Sequence, residues 1–110
     1  MFARVTTYEL ELGRASEAVE SFQPAIELIR GLDGLVEAFF LVERDGQHAM
    51  SITLWESIDA MERSRVAASR ARTDAAMAVE AEVTSTFELD VGIRAAARPV
   101  DDGSDEPRAA

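Results

Sequence analysis

The sequence predicts an α+β domain in which one antiparallel sheet packs against two helical regions. Strand-like and helix-like segments alternate along the chain, and an Asp-Gly pair joins the two middle strands. The strand-like segments are residues 2–10, 35–44, 48–55 and 83–91, and the helix-like segments are residues 16–30 and 58–80. The order is therefore β-α-β-β-α-β, the ferredoxin-like arrangement, with a four-stranded antiparallel sheet and both helices on one face.

The first strand and the first helix follow from local composition. Residues 2–10 mix β-branched and aromatic side chains, which suit a half-buried pleated surface. Ser16 is expected to cap the helix that follows. An apolar stripe at helical spacing then comprises Val19, Phe22, Ile26 and Ile29. Pro24 lies inside this stripe and predicts a kink or a restart of the helix. A glycine of positive φ is expected to end the helix within Gly31–Gly34.

The hairpin and the second helical region have their own local signals. Asp45-Gly46 between two strand patterns predicts a tight turn. Ser57 is a suitable N-cap for the next helix, and residues 58–80 are rich in good helix formers. Thr73-Asp74 is suited to cap a second segment, which predicts a bend there. The arginines of this region are more typical of a solvated helix face than of an anion site; they are Arg63, Arg65, Arg70 and Arg72.

Composition disfavours several classes of protein. The 110 residues suit one domain, which we expect to span residues 1–94, followed by a disordered acidic tail over residues 95–110. The net charge is −10 and every basic residue is arginine, which disfavours contact with nucleic acid or an anionic membrane. The absence of cysteine excludes thiol chemistry. The first ten residues read as a strand rather than a leader, so a cytoplasmic location is expected.

Residues 35–42 are apolar on both faces of the predicted strand. Val36, Ala38, Phe40 and Val42 alternate with Leu35, Phe39 and Leu41. Two helices cover only one face of such a sheet, and a large open apolar face on a monomer is unusual. We therefore expect a second copy of the chain to cover the other face. The alternative is partial shielding by residues 92–110, which offer few apolar side chains.

Several motifs together resemble the antibiotic biosynthesis monooxygenase family. They are Gly31-Leu-Asp-Gly-Leu35, the hairpin, Leu54-Trp55-Glu56-Ser57 and the helix start Ile58-Asp-Ala-Met-Glu62. The resemblance covers about residues 2–91 and implies a dimeric α/β barrel, in which Trp55 is mainly a packing residue. Haem-degrading relatives carry a Trp and a His where this chain has Ser64 and Asp74, and they use an Asn, which this chain lacks. Haem degradation is therefore not expected.

The same resemblance implies an oxygenase without a bound cofactor that acts on a small aromatic or hydrophobic molecule. Such chemistry needs an apolar pocket and one or two donors rather than a nucleophile. The candidate catalytic residues are Arg4, Tyr8 and His48, and the candidate substrate-binding residues are Phe22, Phe39, Met50 and Trp55. Two of the catalytic candidates have a structural alternative: Arg4 in an ion pair at the dimer interface, and His48 as a solvated edge residue. No metal-ligand spacing is present.

The alternative function is a non-catalytic module of the same fold that binds a small ligand or another protein. The missing Asn and the replaced helix residues favour this alternative.

Overall fold

The computed structural model describes residues 1–44 and 46–99 and confirms the β-α-β-β-α-β order. The strands are β1 (Phe2–Glu9), β2 (Leu35–Val42), β3 (His48–Trp55) and β4 (Glu82–Asp90), and the helices are α1 (Ala15–Arg30), α2 (Ile58–Arg63) and α3 (Arg65–Ala78). The strands form one antiparallel sheet in the order β2-β3-β1-β4. The predicted ferredoxin-like fold is therefore correct.

Helix α1 differs from the prediction at both ends and in the middle. It begins at Ala15, and no side-chain hydrogen bond caps it, so Ser16 is not the cap. Pro24 lies inside one continuous helix, so the helix does not restart there, and Phe22 and Ile29 on either side of it are buried in the core. The positive φ falls on Gly34, where a Cβ would collide with Ala60, and not on Gly31.

The second helical region divides at Ser64, nine residues before the predicted bend at Thr73. The Ser64 hydroxyl donates to the Met61 carbonyl oxygen at 2.7 Å, a contact that competes with the backbone hydrogen bonds of a continuous helix. The Ser57 cap is confirmed, because its Oγ accepts from the Ala60 N–H at 3.1 Å. Tertiary contacts with β1, described below, hold the break in place.

The sheet has a helix-facing side and an open face. Two core clusters lie on the helix-facing side, one around Tyr8 and Phe22 and the other around Ile29 and Trp55. The open face is largely apolar, with Val5, Phe39, Leu41, Met50, Ile52, Leu54, Phe87 and Leu89. A β-bulge between Leu35 and Glu37 turns Leu35 to the helix-facing side, so its predicted position beside Phe39 is wrong.

The described chain ends without regular structure. Residues 91–99 form no helix or strand, and the remainder of the predicted tail, like Asp45 of the hairpin, lies outside the described residues. Among residues 1–44 and 46–99, no helix combines the length and apolar character needed to cross a membrane.

Candidate functional site

A row of polar side chains lies buried on the helix-facing side of the two central strands. Even-numbered residues of β1 and odd-numbered residues of β3 point this way, as strand alternation requires. The row comprises Arg4, Thr6, Tyr8, Ser51 and Thr53, and Arg72 of α3 joins it from above. We call these six residues the buried polar cluster. Buried polar groups need partners, so their hydrogen bonds decide which of them are free to act on a ligand.

Arg4 is committed to contacts within the protein. Its Nη2 donates to the Met61 carbonyl at 2.7 Å and to Glu88 Oε2 at 3.0 Å, while Nε donates to the same oxygen at 3.1 Å. Its Nη1 donates to Ser64 Oγ at 3.3 Å. The guanidinium therefore links β1 to β4 and to the break between α2 and α3. The ion pair with Glu88 lies within one protomer, whereas the structural alternative for Arg4 was an ion pair at the dimer interface.

Glu88 receives two guanidinium groups. Arg65 Nη2 donates to its Oε1 at 2.6 Å, opposite the Arg4 contacts on Oε2. Partial burial opposes ionisation of this carboxyl, but the hydrogen bonds from Arg65 and Arg4 outweigh it and hold the pKa of Glu88 below its usual range. Glu88 is therefore the anion that compensates Arg4.

Tyr8 is held as a neutral phenol. Its hydroxyl shares a 2.9 Å hydrogen bond with Ser51 Oγ, and burial raises the pKa of Tyr8. Its ring packs edge-on against Phe22 at a centroid distance of 5.0 Å, and Phe22 stacks on Phe40 at 4.1 Å. Tyr8 can therefore donate or accept a hydrogen bond near neutral pH, but it does not supply a negative charge.

Arg72 is the charged member of the cluster that the sequence interpretation placed on a solvated helix face. It is 7% exposed rather than solvated, and its Nη1 has no hydrogen-bond partner among residues 1–44 and 46–99. Burial lowers the pKa of Arg72. Its spacing from Ala68 and Ala75, the buried residues on its helix face, was the available signal, because it places Arg72 on the same face.

An apolar pocket lies at the hairpin end of the sheet. It has a volume of about 490 Å³ and is lined by Thr7, Tyr8, Leu41, Val42, Glu43, His48, Ala49, Met50 and Thr84. We call it the hairpin pocket. Residues from both sides of the sheet meet here because the pocket lies where β1, β2 and β3 end. Apolar walls with a few polar groups are typical of small-molecule sites.

An imidazole–carboxylate pair borders the hairpin pocket. His48 Nδ1 lies 2.9 Å from Glu43 Oε1, and this hydrogen bond lowers the pKa of Glu43. The His48 side chain is 73% exposed. In the neutral imidazole, a proton on Nδ1 donated to this carboxylate leaves Nε2 as the acceptor. Such a pair can remove a proton from a bound hydroxyl group.

The seven predicted site residues do not form one site. Tyr8, His48 and Met50 line the hairpin pocket, whereas Arg4 and Trp55 lie in the helix-side interior with Arg4 stacked 5.9 Å from the Trp55 ring. Phe22 lines a smaller groove of about 250 Å³ between α1 and β2. Phe39 lies on the open face and is 40% exposed.

Solved structures with the same fold include several oxygenases. SnoaB from Streptomyces nogalater, a cofactor-independent oxygenase, matches with a TM-score of 0.68 at 18% identity, over 84% of this chain and 94% of its own. The monooxygenase ActVA-Orf6 from Streptomyces coelicolor, solved with nanaomycin D, matches with a TM-score of 0.64 at 21% identity, over 90% and 92%. A Deinococcus radiodurans protein named as a candidate antibiotic biosynthesis monooxygenase matches with a TM-score of 0.71 at 14% identity, over 90% and 100%.

This chain has the fold of these oxygenases. The structural resemblance expected from the sequence motifs is thereby confirmed. At these identities the likeness establishes the fold and not the reaction. No protein-family model matches the sequence, and no curated protein matches it. Within residues 1–44 and 46–99, no cluster of His, Asp or Glu side chains is arranged to hold a metal ion.

Proposed function

We propose that this chain is a monooxygenase-like protein of the antibiotic biosynthesis monooxygenase family, acting without a bound cofactor on a small aromatic or hydrophobic molecule. The observation that carries the proposal is the hairpin pocket, whose apolar walls Leu41, Val42 and Met50 stand beside the Glu43–His48 pair. The volume of about 490 Å³ suits a molecule of a few fused rings.

The chemistry assigned to the pair is removal of a proton from a phenolic substrate. His48 Nε2 accepts the hydroxyl proton, and Glu43 stabilises the resulting imidazolium through Nδ1. The electron-rich substrate anion then reacts with O₂ at a ring CH₂ carbon. One oxygen atom becomes a carbonyl there, and the other leaves as water with the two hydrogens of the CH₂ group. His48 then returns its proton to the phenolate oxygen. The substrate supplies all the electrons, so the reaction balances without a cofactor.

The open face supports a homodimer as part of this proposal. Phe87 and Leu89 of β4 are 53% and 49% exposed, and they continue the apolar surface formed by Phe39 and Leu41 of β2. A second copy of the chain would bury this surface. Because Leu41 and Met50 belong both to the open face and to the hairpin pocket, the same contact would shield bound ligand from water. The cytoplasm stays the predicted location.

A non-catalytic ligand-binding module is the second candidate. The exposure of the pair favours it, since the Glu43 and His48 side chains are 52% and 73% exposed. A general base in open solvent has little of the low-dielectric environment that strengthens catalytic electrostatics. In this alternative the hairpin pocket binds an apolar molecule and leaves it unchanged.

Oxygen uptake with a panel of hydroxylated anthrones tests the proposal. The wild-type chain should consume O₂ and form the quinone, and H48Q should lose at least about 100-fold in kcat because the base is gone. E17Q is a matched control, since it neutralises an exposed arginine-paired carboxylate on α1. Binding measured by calorimetry without O₂ uptake would establish the non-catalytic alternative. Equal turnover by wild type and H48Q would remove His48 from the mechanism.

A further inference from the structure

We propose that Gly46 is a positioning residue for His48. Because Gly46 has no side chain, the Glu43 carboxylate can fold back across the hairpin turn and hold the imidazole with its proton on Nδ1. The effect of Gly46 on turnover rests on the proposed function, whereas its effect on the imidazole does not. The observation that carries the inference is that one carboxylate oxygen of Glu43 binds both the turn and His48.

The backbone of the hairpin turn is fixed to the rest of the sheet. The Glu43 N–H donates to the His48 carbonyl oxygen at 2.8 Å, and the Gly46 N–H donates to the Glu43 carbonyl oxygen at 3.2 Å. The Gln47 carbonyl oxygen accepts from the N–H of Leu10, a core residue just after β1, at 2.6 Å. These hydrogen bonds hold the Gln47 peptide in place, so its N–H is available to the Glu43 side chain.

The Glu43 side chain folds over this turn. Its Oε1 accepts from the Gln47 N–H at 3.2 Å and lies 2.9 Å from His48 Nδ1. The hydrogen bond with His48 lowers the pKa of Glu43, so the carboxyl is ionised at neutral pH and acts only as an acceptor. Nδ1 must then be the donor. The Gln47 N–H selects one conformation of a side chain that is otherwise half exposed.

Gly46 supplies the space that this conformation needs. A Cβ built on Gly46 would overlap Oε1, Cδ and Cγ of Glu43. These atoms form the far end of a flexible side chain, so they can move away without a change in the backbone. At Gly34, by contrast, a Cβ would meet Ala60 on α2. Gly46→Ala should therefore leave the protomer folded and displace the carboxylate from His48.

A glycine that serves only the backbone of the turn makes different predictions. Asp-Gly pairs are common in hairpins because glycine adopts backbone conformations that other residues avoid. In that case Gly46→Ala would weaken the hairpin whether or not the Glu43 side chain is present. If Gly46 acts through Glu43, the substitution has no further effect once that side chain is removed.

The test follows the imidazole by nitrogen NMR on the untagged full chain, at a pH well above the ordinary histidine pKa of about 6.5. His48 is the only histidine, so its ring nitrogens give unambiguous signals. In wild type the proton should lie mainly on Nδ1. G46A and E43A should each shift the ratio toward the Nε2–H form by at least about threefold, the effect of one exposed hydrogen bond. G46A/E43A should match E43A. G92A is the matched control, because a Cβ at Gly92 meets nothing within 4 Å.

The same variants connect the imidazole to turnover. If the proposed oxygenase is active, G46A should lower kcat by at least about threefold, as E43A does. KM should stay nearly unchanged, because Leu41, Val42 and Met50 still form the walls of the hairpin pocket. If wild type takes up no O₂ but the imidazole responds as expected, the proposed function fails and the role of Gly46 stands.

Three results would overturn the inference. A wild-type proton distribution in G46A would mean that Glu43 keeps its place despite the added Cβ. A wild-type distribution in E43A would mean that Glu43 does not orient the imidazole. If G46A does not fold, G46A/E43A decides the question: recovery of the fold supports the role of Gly46 in making room for Glu43, whereas a double variant that also fails to fold assigns Gly46 to the backbone of the turn.

Discussion

The helix-facing side of β1 is more polar, and the open face of the sheet more apolar, than is expected of a monomer. The helix-facing side of β1 buries Arg4, Thr6 and Tyr8, whereas the open face presents Phe39 and Phe87 to its surroundings. Ordinarily the buried side is apolar and the solvated side polar. A strand side that packs under helices is therefore not necessarily apolar, and a side that lies open is not necessarily polar. The polar side is stabilised by specific hydrogen bonds, and the apolar side needs a cover.

Each side consequently responds differently to the same chemical change. On the helix-facing side the polar atoms depend on particular partners, such as Glu88 for Arg4, so loss of one partner strands a buried charge. The contribution of the open face depends instead on its total apolar area, because its apolar side chains need no specific partners. Adjacent residues of β2, Phe39 and Phe40, point to opposite sides and allow a direct comparison.

The largest effect is expected from Phe40→Asp. Phe40 stacks on Phe22 at 4.1 Å and packs against the core around Tyr8, so the substitution removes this contact and buries a carboxylate without a partner. The free energy of unfolding should fall by about 3 kcal/mol or more. Urea denaturation followed by circular dichroism measures the loss. A variant as stable as wild type would mean that Phe40 does not face the helices.

Phe39→Asp should change the oligomeric state of the protein and leave the fold of each protomer intact. Phe39 is 40% exposed on the open face, so a carboxylate there remains hydrated in a monomer but cannot enter an apolar interface. We expect a folded chain with the circular dichroism spectrum of wild type and the mass of one protomer. Size-exclusion chromatography with light scattering measures the change. If F39D unfolds as F40D does, Phe39 and Phe40 do not lie on sides of the sheet that respond differently.

Glu88→Gln should lower stability by about 1 kcal/mol at neutral pH, because it weakens charged hydrogen bonds to Arg4 and Arg65. The pKa of Glu88 is depressed in the folded state, so the wild-type contribution is present above the ordinary carboxyl pKa of about 4.5 and is lost as the pH falls through the folded value. Unfolding curves of both proteins should therefore converge in acid. A constant difference between pH 7 and pH 3 would contradict the assignment.

The smallest effect distinguishes two serines near helix starts. Ser57→Ala should destabilise the protein by about 1 kcal/mol, since it removes the acceptor for the Ala60 N–H. Ser16→Ala should have almost no effect, because α1 has no side-chain cap. Thermal unfolding of the two variants gives the comparison. Equal losses would mean that Ser16 caps α1 after all.

The sequence predicted correctly the features that depend only on residues close together in the chain. The element order, the hairpin and the Ser57 cap are local patterns, and all three appear in the structure. The errors arose where a distant residue decides the outcome. Arg4 of β1 binds Met61 and Ser64 at the helix break, and Ala60 leaves no room for a Cβ at Gly34, the glycine that takes the positive φ. No local pattern contains those contacts.

The same distinction between local patterns and distant contacts holds for the candidate site. Strand alternation alone predicts that Arg4 and Tyr8 of β1 share one side and that Met50 and Trp55 of β3 lie on opposite sides, and the structure has both arrangements. The partner of His48, Glu43, was not foreseen, because it depends on how the hairpin closes. Arg72 was predicted to face solvent with the other arginines of this region, but it lies four residues after Ala68 and three before Ala75, on their buried helix face. The structure shows that the spacing was the better guide.

The mass of the wild-type chain in solution tests most directly whether the apolar open face has a partner. Light scattering across a range of micromolar concentrations should give about 24 kDa, twice the protomer mass of 12.0 kDa. F39D measured beside it should give the mass of a single protomer. A wild-type mass of 12.0 kDa at every concentration would mean that the open face meets water uncovered, which contradicts the proposed dimer.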